Sequence, residues 1–300
     1  MAAKGRTISE REGVKLMNPH IQEMEEDVLY HLALGSGSHD LRQMFGDVRF
    51  VCMGGTPHRM QSFAEYMVKE LGYILPTGTD LVDISARSHR LLTFQLIRIG
   101  TCGGIGLPPG SVVVTEEAFD GQLRPVLDTI ILGKVVSRPC KLDQNLADKL
   151  TSMSDPEDEF KTVKGKTIST DDFYEGQGRL DGAICEYTEK DKMAYLNHVS
   201  DNGVVNMEME ATVFAAMTHM AGIRAAVVCV TLLDRLKGDQ VLTPKEELIA
   251  WQERPQKIVA RFILSELSME ERQAATPTMS KLARISSNLF AKSYSCFEDA

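Results

Sequence analysis

Cysteine motifs, long apolar runs and an excess of basic residues are all missing from this chain of 300 residues. Its six cysteines are scattered and form no C-x-x-C pair, which argues against a metal cluster or a disulfide framework and indicates a reducing cytosol. The longest apolar runs are far too short to span a bilayer, and the N-terminus lacks the apolar core of a signal peptide. We therefore expect a cytoplasmic protein with no membrane partner.

The charge balance narrows the class of partner. Acidic residues outnumber basic residues by 42 to 33, which gives a net charge of -9. A protein that binds nucleic acid usually carries a basic patch, so this balance argues against nucleic acid as a partner. It leaves a small anionic ligand open, because a few arginines can make a local positive pocket.

Strand-like and helix-like segments alternate along the chain and predict an α/β sheet in a three-layer arrangement. Strands are expected at 48–53, 94–99, 111–115, 204–205 and 225–232. Helices are expected at 57–71, 145–153, 189–199, from 208 onward and at 254–267. We expect a polar N-terminal arm over 1–24, a single domain over 25–267 and a mobile polar tail over 268–300.

The run from Asp172 to Gly182 places an aromatic ring, an amide and a guanidinium within seven residues, separated by glycines. Phe173 can stack on a flat ring, Gln177 offers a donor and an acceptor, and Arg179 offers a planar fork of donors. A pyrimidine base has the complementary edge, with two carbonyls flanking an N–H. The run therefore indicates a base site, with an ordinary Gly-rich surface loop as the alternative.

Two further glycine-containing segments follow predicted strands and suit an anion. The first, 54–59, opens a helix whose N–H groups and dipole favour negative charge, and the second, 98–104, ends the next strand with Arg98. Ligands of open α/β sheets bind outside the carboxyl ends of strands. Together the two segments favour a phosphate site, with structural turns as the alternative.

Three further polar features each allow two interpretations from the sequence alone. Met207-Glu-Met-Glu210 combines carboxylates with an apolar wall, as a ribose pocket would, although Glu208 could equally complement a helix dipole. His31 is either functional or a buried or capping histidine. Asp234, at a further strand end, is either an acid or a partner of Arg235.

In this order, these pieces resemble the animal-type uridine phosphorylases of the nucleoside phosphorylase family over about residues 18–266. The matching stretches are 18–19, 26–31, 45–48, 54–59, 98–106, 172–182, 208–210 and 227–235. The resemblance implies a mixed β-sheet flanked by helices and a homodimer whose active sites are each completed by the neighbour. It also implies pyrimidine salvage by phosphate-dependent cleavage of uridine, with deoxyuridine as a further candidate, to uracil and ribose 1-phosphate. No cofactor or metal is implied, since inorganic phosphate is the co-substrate.

The resemblance also assigns roles to single residues. The phosphate ligands would be Gly55, Arg59, Arg98 and Thr101, together with Arg90 donated by the neighbouring subunit. The base site would be Phe173, Gln177 and Arg179. The ribose site would be Met209 and Glu210, with His31 reaching a 5′-hydroxyl across the dimer interface. Arg98, Gln177 and Arg179 would act in catalysis.

One stretch departs from the family pattern. Family members carry a further strand and helix, joined by a G-x-G-x-P-S run, where this chain has only residues 73–93 without that run. A crossover of this kind needs about 30 residues, so we expect a domain shortened around 75–93, after Arg90. With that strand lost, Arg98 and Thr101 need not point at Gly55. A smaller departure is Asp234, which stands where many uridine phosphorylases have Asn and so bears on base preference.

Two other functions are alternatives to phosphorolysis. A non-catalytic relative could keep part of the pocket and act by binding or heterodimerisation. A nucleosidase would use water, which needs no arginine cradle.

Overall fold

The computed structural model describes residues 18–29, 33–45, 48–71 and 94–267. Most of the predicted arm, His31, the shortened stretch with Arg90, and the predicted tail lie outside the described residues. The expectations about those parts of the chain stay predictions.

The strands alternate with helices along most of the described chain. The strands are β1 (Val28–Leu29), β2 (Leu34–Gly35), β3 (Phe50–Gly54), β4 (Gln95–Gly104), β5 (Val112–Phe119), β6 (Val126–Ile131), β7 (Lys134–Pro139), β8 (Thr162–Ser169), β9 (Val204–Glu208) and β10 (Arg224–Asp234). The α-helices are α1 (Leu41–Phe45), α2 (Pro57–Leu71), α3 (Gln144–Thr151), α4 (Glu189–Asp201), α5 (Ala211–Met220) and α6 (Lys245–Glu266). A 3-10 turn over Pro19–Glu23 precedes β1.

Six strands form the central sheet, in the order β10-β5-β8-β9-β4-β3. The sheet is mixed, because β10 and β9 are antiparallel to β5 and β4, respectively, while the other neighbours in this order are parallel. β4 also pairs in parallel with β10, so five of the strands close into a ring with β3 beside it. The predicted mixed α/β fold is confirmed, and the closure of the sheet is a feature that no local pattern indicated.

Helices cover the sheet and leave β4 and β10 almost wholly buried. On one side, α2, α3 and α6 pack through Phe63, Leu146 and Phe262 against strand residues such as Ile97. On the other side, small residues of α5 such as Ala215 pack near β10. A strand covered on both faces reads as a continuous apolar run, which explains why 225–232 was recognisable from sequence.

Several segments differ from the sequence prediction. α6 begins at Lys245 rather than near 254. The predicted start was too late because the first turn is charged and because Pro255, a residue type common at the start of helices, lies inside the helix. Glu208 ends β9 instead of opening a helix, which starts at Ala211. β6, β7 and β8 were not predicted; β6 and β7 form a largely exposed hairpin that lacks a buried apolar face.

The sequence left open whether Arg98 and Thr101 point at Gly55, and in the described residues β4 lies directly beside β3. β3 and β4 pair directly, with Met53 opposite Arg98 and Gly54 opposite Ile99. On its other edge β4 pairs with β10, with Thr101 opposite Val230. Two parallel neighbours, β3 and β10, therefore hold β4 in place. Within the part of the chain that is described, no helix has both the length and the apolar character that crossing a bilayer requires.

Candidate active site

A cavity of about 310 Å³ lies where the carboxyl ends of β3, β4 and β10 meet the 173–179 loop and the β9–α5 junction. Nine of the residues singled out from sequence line it: Gly55, Arg59, Arg98, Thr101, Phe173, Gln177, Arg179, Met209 and Glu210. The other two, His31 and Arg90, lie outside the described residues. Segments up to 155 positions apart in the chain thus converge, because the parallel strands β3, β4 and β10 end at one edge and the last residues of β9 pair with the last residues of β4.

Arg98 is the buried cation at one end of the cavity. Its Nη1 lies 3.0 Å from Glu208 Oε2, and its Nη2 pairs with Glu210. Its Nη1 also donates to the thiol sulfur of Cys229 at 3.4 Å. Space for this side chain depends on Gly100, where a Cβ would come within 2.7 Å of Arg98 Nη1. Two carboxylates thus hold the guanidinium, and Gly100 of the same strand leaves the space that it occupies.

Arg59 approaches the same end of the cavity from the first turn of α2. Its Nε and Nη2 both donate to Gln252 Oε1 of α6, at 3.3 and 3.0 Å. Its Nη1 lies close to Gly55, 3.6 Å from where a Cβ would stand. Burial and the neighbouring Arg98 lower the pKa of Arg59, while Cys229 and Glu210 oppose that shift. Arg59 and Arg98 thus present two guanidinium groups to one cavity, and the Arg98 group is paired with Glu208 and Glu210.

The two glutamates at the β9–α5 junction have different surroundings. Glu208 is buried and accepts the N–H groups of Glu210 and Ala211 at 3.1 and 2.9 Å. Burial raises the pKa of Glu208, although Arg98 and the two N–H groups act against that shift. The side chain of Glu210 is half exposed and faces the cavity beside Met209. Glu208 therefore anchors Arg98 and accepts N–H groups at the start of α5, which agrees with the helix-dipole alternative, while the ribose alternative stays a prediction.

The opposite end of the cavity is built by the glycine-rich loop. Asp172 caps the loop by accepting the N–H of Tyr174 at 2.6 Å, and Gly178 adopts a φ of +61°, which favours glycine. The Phe173 ring lies 4.3 Å from Cζ of Arg179. This stacking leaves the ring half exposed at the cavity wall.

Arg179 and Gln177 are both buried at this end, and each already has a protein partner. Arg179 donates from Nε and Nη2 to the two carboxylate oxygens of Asp181, at 2.9 and 2.7 Å. Gln177 accepts from Arg235, at 2.8 Å on its main-chain oxygen and at 3.4 Å on Oε1. Arg179 therefore contributes mainly positive charge to the cavity, because its fork of donors is already bonded to Asp181.

Asp234 does not pair with Arg235, so that sequence-based alternative is wrong. Its Oδ1 accepts the N–H groups of Gly106 and Leu236, each at 3.1 Å, and its side chain is not part of the cavity wall. Arg235 instead pairs with Asp239 at 3.0 Å. Asp234 therefore shapes the turn after β10, because its carboxylate faces backbone amides.

Sequence reasoning missed several residues that matter for this geometry. Arg235 was noted only as a partner for Asp234, and Gln252, Lys192 and Asp239 were not singled out. An arginine that follows a fully apolar strand was the one available signal for Arg235. Among the described residues, no group of three or more His, Cys, Asp or Glu side chains is arranged to hold a metal ion.

Comparison with known proteins gives the family. The family model for the phosphorylase superfamily matches residues 45–264. Mouse uridine phosphorylase 1 is 45% identical over 289 residues, an alignment that covers 85% of this chain and 93% of the relative. That alignment is longer than the part of the 300-residue chain it covers, so the relative has residues without a counterpart here.

Solved structures agree with this assignment. Uridine phosphorylase from Schistosoma mansoni in complex with thymidine superposes with a TM-score of 0.78 at 32% identity, covering 84% of this chain and 98% of that chain. A uridine phosphorylase of the oomycete Phytophthora capsici also has a TM-score of 0.78, at 37% identity, covering 85% of this chain and 98% of that chain. This chain belongs to the phosphorylase superfamily and, within it, to the animal-type uridine phosphorylases.

Proposed function

We propose that this protein cleaves uridine with inorganic phosphate and releases uracil and ribose 1-phosphate. The observation that carries the proposal is a cavity with two arginines at one end, the Glu208 and Glu210 carboxylates joined to Arg98, and a Phe–Gln–Arg set at the other end. The reactants have the same order, because phosphate attacks C1′ of the ribose while the base leaves from the opposite side of C1′. The similarity to uridine phosphorylases supports the same reaction.

Phosphate would bind at Arg59, Arg98, Thr101 and the Gly55 turn. Arginines hold an oxyanion through charge-assisted bonds and would align it beneath C1′ of the ribose. Arg98 is paired with Glu210. Because Glu210 is half exposed, it can leave Arg98 and accept hydrogen bonds from ribose hydroxyls, while buried Glu208 keeps Arg98 in place.

Bond breaking would develop charge at the opposite end. The C1′–N1 bond breaks with its electron pair going to uracil, and a phosphate oxygen bonds to C1′; uracil then takes a proton from water. The positive charge of Arg179 and the amide of Gln177 would stabilise the developing uracil anion, an interaction that is strongest in the transition state. Phosphate is the co-substrate, and no step calls for a cofactor.

Assembly and location complete the proposal. A homodimer would let a neighbouring subunit contribute Arg90 to phosphate and His31 to the 5′-hydroxyl. The scattered cysteines suit a cytoplasmic protein.

The test is to incubate the purified full chain with uridine, with and without phosphate, and to quantify uracil and ribose 1-phosphate. We expect uracil only when phosphate is present, in equal amount with ribose 1-phosphate. Release of uracil and free ribose without phosphate would identify a nucleosidase, and no turnover by a protein that binds uracil would identify a binding protein. Either result contradicts the proposal. Deoxyuridine and thymidine belong in the same assay, since the Schistosoma mansoni relative was crystallised with thymidine.

The shortened stretch leads to a separate prediction. Inserting a family-like strand, G-x-G-x-P-S turn and helix after Arg90 should raise soluble yield, melting temperature and the rate of uracil release. The rate should rise because a larger fraction of the protein is folded, since β3 and β4 already hold Arg98 beside the loop after β3. A Gly/Ser insertion of equal length is the matched control. Equal behaviour of the original and restored chains would mean that the segment is dispensable here.

A further inference from the structure

A cluster of five charged side chains lies behind the base end of the cavity, and we call it the Asp239 cluster. Its members are Arg179, Asp181, Lys192, Arg235 and Asp239, which form three ion pairs with distances between 2.7 and 3.0 Å. Lys192 comes from α4 and Asp239 from the loop after β10, and neither lines the cavity. They can therefore act on a bound base only through the residues that they hold.

Asp239 is the centre of this cluster. Its Oδ1 accepts from Lys192 at 2.8 Å and pairs with Arg235, and its Oδ2 accepts the N–H of Leu180 at 3.0 Å. Its main-chain oxygen accepts from Arg179 Nη2 at 2.6 Å. Burial alone would raise the pKa of Asp239, but the bonds from Lys192 and Leu180 and the charge of Arg235 outweigh it and lower the pKa overall. Asp239 is thus an ionised carboxylate that ties three segments of chain together.

Arg235 connects Asp239 to Gln177 of the base site. It is fully buried, and its two terminal nitrogens donate to Oε1 and to the main-chain oxygen of Gln177. Gly103 leaves room for it, since a Cβ there would come within 2.9 Å of Arg235 Cγ. Bonding to Oε1 turns the Gln177 amide so that Nε2 points away from Arg235. Asp239 therefore sets the orientation of the amide through a single intervening side chain.

The charge of the cluster also matters. It contains three cations and two anions, so one positive charge is left over beside the base site. Lys192 and Asp239 are both almost completely buried, and a buried ion pair adds little net stability compared with a well-packed apolar pair. Stability alone is therefore a weak reason for their presence. A preorganised positive charge next to a departing anion is a stronger one.

We propose that Asp239 and Lys192 are positioning residues that hold Arg235, Gln177 and Arg179 in the geometry that binds the pyrimidine base. The proposal rests on the proposed function, because it takes the Phe173–Arg179 end of the cavity as the base site. Neither residue touches the base.

The experiment compares Asp239→Asn and Lys192→Met with the parent. Calorimetry gives the Kd for uracil, and the phosphate-induced shift in melting temperature reports on the other end of the cavity. We expect Asp239→Asn to weaken uracil binding and kcat/KM for uridine by about a hundredfold, the effect of a misplacement of about 1 Å. Lys192→Met, which leaves the Arg235 pair intact, should have a smaller effect in the same direction. The KM for phosphate should not change in either variant.

Asp158→Asn is the matched control for general destabilisation. Asp158 is also a buried carboxylate, and it binds Arg261 at 2.7 Å through each of its oxygens, away from the cavity. It should lower the melting temperature without changing the Kd for uracil. If Asp239→Asn does not fold, the Kd of Lys192→Met for uracil decides whether the positioning role holds.

Three results would contradict the positioning role. They are unchanged uracil binding in the variant that decides, equal losses of uracil and phosphate binding, or a loss of uracil binding in Asp158→Asn of the same size. A parent protein that binds no uracil would instead contradict the proposed function itself, so the two failures can be told apart.

Discussion

Replacing Arg98 by alanine is expected to lower kcat/KM for phosphate by about a hundredfold to a thousandfold, the range seen when one donor to a transition-state anion is removed. Arg98 is the buried guanidinium that faces the cavity between Glu208 and Glu210. Without it, phosphate would meet two carboxylates and only Arg59. We expect the phosphate-induced thermal shift to disappear together with most of the activity.

The same substitution should also destabilise the protein. Glu208 would remain buried without its cation, and breaking a buried pair on one side costs about 3 kcal/mol or more. The double variant Arg98→Ala with Glu208→Gln separates the two effects, because the neutral amide needs no counter-charge. It should recover much of the melting temperature and none of the phosphate response. A single variant that keeps the parental phosphate response would refute the phosphate site.

Replacing Arg179 by alanine is expected to lower kcat for uridine by about a hundredfold to a thousandfold while phosphate binding stays at the parental level. The positive charge lies beside the ring of Phe173 and would face the uracil anion as it leaves. Asp181 is partly exposed and keeps its hydrogen bond from Gln240, whereas the main-chain oxygen of Asp239 loses a donor, so the melting temperature should fall moderately. Steady-state rates at saturating phosphate provide the measurement.

A substrate with a better leaving group tests the role of Arg179 more specifically. Fluorine at position 5 makes the departing pyrimidine a better leaving group, so it needs less help from a cation. The Arg179→Ala variant should therefore lose less activity with 5-fluorouridine than with uridine. Asp181→Asn is the control, because it keeps the positive charge and removes only the carboxylate that orients it. Equal losses with both substrates would mean that Arg179 does not act on the leaving group.

Local signals in the sequence were sufficient for several helices and for the α/β class, while the mixed sheet was implied by the resemblance to the family. The helix over 57–71 was predicted from Pro57 and an apolar spacing of three to four residues, and both ends are confirmed. The helix at 189–201 starts where predicted because Thr188 and Asp191 form a reciprocal cap. Such signals lie within one turn of the chain, so they can be read without knowledge of the rest of the fold. α6 was misplaced because its first turn is charged and exposed and because Pro255, which lies inside the helix, resembles a start signal.

By itself, the sequence determined the mixed α/β class and the identity of nine cavity residues, since each of these residues belongs to a short run with its own chemical pattern. Tertiary structure alone decided how they are held. Lys192 reads as a solvent-facing residue of a charged helix, and only Asp239, 47 positions later, makes its burial possible. Likewise Arg59 meets Gln252 across 193 positions, and β4 meets β10 to close the sheet. These contacts depend on packing between distant segments, which no local pattern encodes.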